Sequence, residues 1–164
     1  TKEARAHYQI QVGARGDDRY LENWHDPDMV GRPSRWSGPQ SRLLLPVNPG
    51  QRYTITLELD VPPHALSADA GLYLNGRRLA PLKSESQLTA TLPPSRTDMI
   101  ELQLRSQGWE PRMKLPGSSD SRTLGVMCYK VTLRSTRAHT MVFVANSGQW
   151  LPELEPPLKI EPGK

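Results

Sequence analysis

Two stretches of this chain concentrate the side chains able to do chemistry. Residues 20–46, YLENWHDPDMVGRPSRWSGPQSRLLLP, carry Trp24, His25, Trp36, acids at positions 22, 26 and 28, and several arginines. Residues 106–122, SQGWEPRMKLPGSSDSR, carry Trp109, Glu110, Asp120 and Arg122. Indole faces suit the apolar face of a sugar ring, and Arg, Asp and His side chains reach its hydroxyls. If a scaffold brings the two segments together, they form a sugar-sized site. In that site Trp24 and Trp109 stack, while His25, Arg35, Asp120 and Arg122 make hydrogen bonds. Each aromatic has an alternative place in the core, and Trp36, beside the apolar run 43–45, is the first candidate for that. Arg35 with Asp120 or Arg122 is either a structural link between the segments or part of a polar site; both stay open.

Catalytic signatures are absent. There is no GxSxG elbow, HExxH, P-loop or GxGxxG. A glycosidase needs two carboxylates across a cleft, and nothing pairs any two of Glu22, Asp26, Asp28, Glu110 and Asp120 face to face. A metal reading of His25, Asp26 and Asp28 fails because near neighbours seldom converge on one ion; Asp26-Pro27-Asp28 reads as a turn or cap. No enzyme activity, metal or cofactor is therefore expected.

The elements that must position these residues read as short strands. Tyr8, Ile10 and Val12 alternate with polar residues, a period of two that marks a half-buried strand. Residues 20–40 look irregular, and Ser41 to Leu45 reads as a strand closed by Pro46. Tyr53, Ile55, Leu57 and Leu59 alternate over 52–59, close enough to the preceding strand for a hairpin. Residues 70–74 lead into Asn75-Gly76, a strong hairpin signal, with the return strand over 78–82. Further alternation covers 88–92 and 100–104, and in 124–133 it places Met127, Tyr129, Val131 and Leu133 on one face. Residues 139–145 are apolar on both faces. The best helical stretch, 64–70, supplies one turn after Pro62-Pro63. Eight or nine short strands with little helix make an all-β chain, an antiparallel β-sandwich of jelly-roll type. Residues 1–145 are expected to form one domain and 146–164 a proline-rich tail or linker.

Composition agrees with this. At 164 residues the chain holds one domain, and 16 prolines are about twice average usage. The net charge of +4 comes from basic residues interleaved with acids, so a nucleic-acid partner is not expected. One cysteine, Cys128, excludes an intrachain disulfide framework and reads as a packing residue. No apolar run approaches membrane-spanning length, so membrane insertion is not expected. The unpaired cysteine and lack of a leader lean towards an intracellular setting, whereas a polysaccharide ligand leans the other way; no compartment is assigned.

The ordered series Arg35-Trp36, Leu43-Leu44-Leu45-Pro46, Tyr53-Thr54-Ile55-Thr56-Leu57, Leu74-Asn75-Gly76, Leu88-Thr89-Ala90-Thr91-Leu92-Pro93, Ile100-Glu101-Leu102 and Asp120-Ser121-Arg122-Thr123-Leu124-Gly125-Val126 supports a resemblance. Over about residues 5–135 the chain resembles accessory β-sandwich domains of the carbohydrate-binding-module type. Such domains are found joined to bacterial glycosyltransferases and other polysaccharide-related proteins. The resemblance implies a jelly roll, no catalytic activity of its own, and work beside a glycan-handling enzyme; it implies no particular binding residues. The expected function is a non-catalytic accessory module that binds a carbohydrate or supports a neighbouring enzyme domain. The alternative is a structural, protein-interaction domain, which an exposed apolar patch with Met141, Phe143 and Trp150 would favour.

Overall fold

Hydrophobic alternation builds two layers of strands over one core in a computed structural model that describes residues 1–29, 31–136 and 141–153. Eleven strands run among these residues. They are β1 His7–Gln11, β2 Leu21–Asp28, β3 Ser34–Pro46, β4 Tyr53–Asp60, β5 Gly71–Leu74, β6 Arg77–Pro81, β7 Gln87–Leu92, β8 Met99–Arg105, β9 Met127–Ser135, β10 Met141–Val144 and β11 Gln149–Pro152. Helix is confined to α1 Lys2–Ala6, the single turn α2 Pro111–Lys114, and 3-10 turns at Asp17–Tyr20 and Pro63–Ala65. The last is the turn expected after Pro62-Pro63.

One layer runs β7-β4-β9-β1-β10-β11 and the other β2-β3-β8-β5-β6. All pairings are antiparallel except β1 with β10. Ile10, Ile55, Leu57, Val131 and Leu133 from the first layer meet Leu43, Leu45, Leu72, Leu102 and Leu104 from the second in one buried cluster. The all-β sandwich expectation stands. β3 joins the layers: residues 40–46 pair with β8, while Arg35 and Trp36 pair with Cys128 and Met127 of β9.

Four local expectations are corrected. Residues 20–40 are not irregular, because β2 and the first half of β3 form a long hairpin. Register shifts between Glu22 and Trp24 and between Trp24 and Pro27, with Asn23 at φ 64°, break the period of two that alternation relies on. Secondly, β3 and β4 form no hairpin; the chain crosses from one layer to the other through 47–52, held where Tyr53 Oη accepts from Asn48 N at 2.9 Å. Thirdly, Met127 and Tyr129 do not face the core. Tyr129 is the extra residue of a bulge opposite Glu58 and Leu59, so Cys128 and Val131 point inward while Tyr129 and Lys130 lie outside. Lastly, residues 149–152 of the expected tail pair with β10 as a strand. Residues 154–164, and His139 at the start of the expected 139–145 strand, lie outside the described residues. The Asn75-Gly76 hairpin is as expected, with φ 50° and 78° at the two turn positions.

Gly13, which ends β1, shows how closely the layers approach. Its φ is +88°, and a Cβ there would lie 2.3 Å from Ser34 N of β3. Gly50 has a similar φ of +81° but open space around it. Gly13→Ala is therefore expected to lower unfolding free energy clearly more than Gly50→Ala, whose backbone strain alone costs about 1 kcal/mol. Urea titration of the two variants measures the difference, and equal losses would remove the steric account.

Candidate functional site

The bulges in β2 split the expected site into a buried part and a surface part. Arg35 belongs to the buried part. It donates from Nε to Asp17 Oδ2 at 2.7 Å and from Nη2 to Asp17 Oδ1 at 2.9 Å, with the Asp17 side chain 3% exposed. Its Nη1 also donates to His25 O at 3.0 Å. Arg35 is thus a structural ion-pair residue, but its partner is Asp17 rather than Asp120.

Trp109 is also internal, at 6% exposure. Its Nε1 donates to Gly125 O at 2.9 Å, and its ring meets Trp36 edge-on at 5.7 Å and His64 at 5.2 Å. This corrects the stacking role expected for Trp109: an indole buried to this degree offers no open face to a sugar ring. Trp36 is half-buried against the core, in line with its expected plugging role. Trp24 is half-buried as well, with its Nε1 committed to Arg42 O at 2.9 Å.

His25, Asp120 and Arg122 do come together at the surface. His25 Nε2 lies 2.7 Å from Thr123 O; a carbonyl only accepts, so Nε2 carries the proton. Arg122 clamps Asp120 through Nε to Oδ1 at 3.0 Å and Nη2 to Oδ2 at 2.7 Å. These hydrogen bonds hold the Asp120 carboxyl down at about 2 against its ordinary 3.8. The carboxylates weighed as an acid–base pair are occupied too: Glu22 pairs with Arg42 at 2.9 Å and Glu110 with Arg112 at 2.8 Å. Among the described residues no group of three or more His, Cys, Asp or Glu side chains is placed to hold a metal ion. Cys128 is fully buried, and burial pushes its thiol up to about 12.

A different place is open. On the outer face of β1 and β9 lies a half-open concavity of about 300 Å³, lined by Gln9, Gln11, Arg32, Pro33, Tyr129 and Lys130. The β9 bulge puts Tyr129 there. Tyr129 Oη donates to the Asp60 carboxylate, which pushes the phenol up to about 12. The Arg32 guanidinium sits 4.6 Å from the Tyr129 ring centroid and donates from Nη2 to Glu58 Oε1 at 2.7 Å. Lys130 Nζ is 3.0 Å from Glu58 Oε2. Sequence reasoning missed these residues because strict alternation sends Tyr129 into the core; only Gln9 and Gln11 were already legible as outward positions.

No family model and no curated protein matches this sequence. Among solved structures, the extracellular domain of ANXUR2 from Arabidopsis thaliana is similar over 89% of this chain and 46% of that one, with 14% identity and a TM-score of 0.50. The ANX1 ectodomain from the same plant is similar over the same shares, with 13% identity and a TM-score of 0.47. This chain therefore spans less than half the length of the structures it matches. The likeness to ANXUR2 is one of fold, and it agrees with the β-sandwich part of the expected resemblance. Among the described residues no helix is long and apolar enough to cross a membrane.

The Asp120–Arg122 clamp has a definite pH signature. A carboxyl depressed in the folded state contributes stability that is present above its ordinary value and lost as pH falls through about 2. A carbon-detected NMR titration should show Asp120 changing near pH 2, and Arg122→Gln should return it to the ordinary carboxylate range.

Proposed function

We propose that this chain is a non-catalytic accessory module that binds a glycan, in support of a glycan-handling enzyme in the same polypeptide. The observation that carries the reading is the concavity on the β1–β9 face. It gathers two amides, a phenol ring edge and two cations that share the Glu58 carboxylate. Such a lining offers donors and acceptors at several angles beside an aromatic surface, which is what a polyhydroxylated ring requires. The expected residues Trp24, His25, Asp120 and Arg122 then shape the neighbouring hairpin and loop surface, while Arg35 and Trp109 hold it from beneath. The paired state of Glu22, Glu110 and Asp120 supports a binding role over hydrolysis.

A panel of soluble polysaccharides tested by isothermal titration calorimetry examines this directly. One glycan class is expected to bind, and Tyr129→Ala should weaken it about tenfold without lowering the melting temperature. Binding that is indifferent to Tyr129→Ala and Gln11→Ala would move the site elsewhere.

A second reading, the protein-interaction domain, has its own support. Met141 is 39% and Trp150 42% exposed, and the Phe143 and Trp150 rings lie 5.1 Å apart. This is an apolar strip on the β10–β11 hairpin at one side of the sandwich. Under this reading no glycan binds, and Trp150→Glu leaves folding intact but abolishes the concentration-dependent association seen by analytical ultracentrifugation.

A further inference from the structure

The concavity is one end of a larger ordered surface. Antiparallel register lines up outward side chains across β7, β4, β9 and β1 in rows perpendicular to the strands. One row is Gln87, Glu58, Lys130 and Gln11. The next is Thr89, Thr56, Thr132 and Gln9. A third, Thr91, Thr54 and Arg134, ends at the buried His7 and is capped there by Glu153, whose Oε1 lies 3.6 Å from Arg134 and 3.5 Å from His7. The intervening residues, among them Leu88, Leu57 and Val131, face the core. None of the residues in the first two rows is fully buried.

The middle row is a ladder of hydroxyls ending in an amide. Thr56 Oγ1 and Thr89 Oγ1 lie 3.4 Å apart, so adjacent strands present their hydroxyls side by side. Threonine is stiff at χ1, and a hydroxyl already held in one orientation loses little entropy when it binds. Four strands span about 14 Å at the usual inter-strand spacing, the reach of several sugar rings rather than one. Charge over the face balances, because Arg32, Lys130 and Arg134 stand against the carboxylates of Glu58, Asp60 and Glu153. The face therefore gives a polyanion no net attraction.

We propose that the ligand is a neutral, linear polysaccharide lying across the strands. It runs from the Tyr129 concavity at β1 and β9, over Thr132 and Thr56, to Thr89 on β7. This rests on the glycan reading above and adds to it the ligand's shape, charge and direction. Tyr129 supplies the aromatic contact at one end, and the threonine row supplies hydrogen bonds ring by ring.

The test is calorimetric titration with neutral oligosaccharide series (cello-, chito-, malto-, xylo- and manno-), each from monosaccharide to hexasaccharide, and with a polyuronate series of matched lengths. The expected result is affinity that climbs with length in one neutral series and levels off once the chain spans the four strands. The double variant Thr56→Val/Thr89→Val keeps shape and strand preference but removes two hydroxyls. It should weaken the longer chains about tenfold or more while leaving the disaccharide unchanged. If affinity is flat beyond the disaccharide, or the valines change nothing while Tyr129→Ala still abolishes binding, the crossing chain is wrong and the glycan site stands. Preference for the polyuronate would overturn the neutral ligand, and no binding in any series would overturn both readings together.

Discussion

The Asp17–Arg35 ion pair is the interaction on which this sandwich depends. Asp17 follows the turn that ends β1, and its Oδ2 also accepts from Gly13 N at 2.7 Å. Arg35 opens β3 and reaches back to the carbonyl of His25 in β2. One buried carboxylate thus links the end of the first strand, a 3-10 turn, the β2–β3 hairpin and, through β3, both layers. Burial makes that link conditional. Two charges taken from water are tolerated only while their hydrogen bonds are complete, and loss of one partner leaves the other stranded at a cost of about 3–5 kcal/mol. The same pair removes Arg35 from any ligand contact, because its donors on Nε, Nη1 and Nη2 are already engaged.

The outer face depends on a second constraint, the single extra residue in β9. A period-two strand offers one choice of face for each side chain, and a bulge resets that choice. Below the bulge Val131 and Leu133 feed the core; above it Cys128 does. Tyr129, caught between, stands beside Lys130 on the outside, with Asp60 holding its hydroxyl and Arg32 over its ring. Backbone geometry puts an aromatic residue on an otherwise polar sheet face, and these two side chains hold it there.

Most of the fold was legible in the residues. Alternation located β1, β4, β7 and β8, and Asn75-Gly76 located the β5–β6 hairpin, because in these segments each local preference agrees with the final packing. It failed where the backbone departs from ideal pleating. Asn23 and Pro27 interrupt β2, so a paired strand looked like a loop. The crossing between β3 and β4 was hidden because sequence neighbours usually pair, and only the core contacts of Leu43, Leu45, Ile55 and Leu57 from opposite layers decide against it. The candidate site was legible in part. His25, Asp120 and Arg122 meet, since β2 lies beside the loop that carries the other two and polar side chains there tend to the surface. Trp109 and Arg35 were misassigned because residue type alone does not say whether an indole or guanidinium is turned inward. Tyr129 was unreachable without the bulge.

The placement of β1 bears on how the chain acquires its structure. His7–Gln11 lies between β9 and β10, so both neighbours of this strand follow it at long separation along the chain. During synthesis this strand emerges long before anything can pair with it. Tyr8 and Ile10 must wait in a nascent chain, open to chaperones or to misplaced edges, until β9 and β10 have left the ribosome. Closure of the first layer consequently waits for β9 and β10. A copy truncated before Met127 would leave its opening strand without either neighbour.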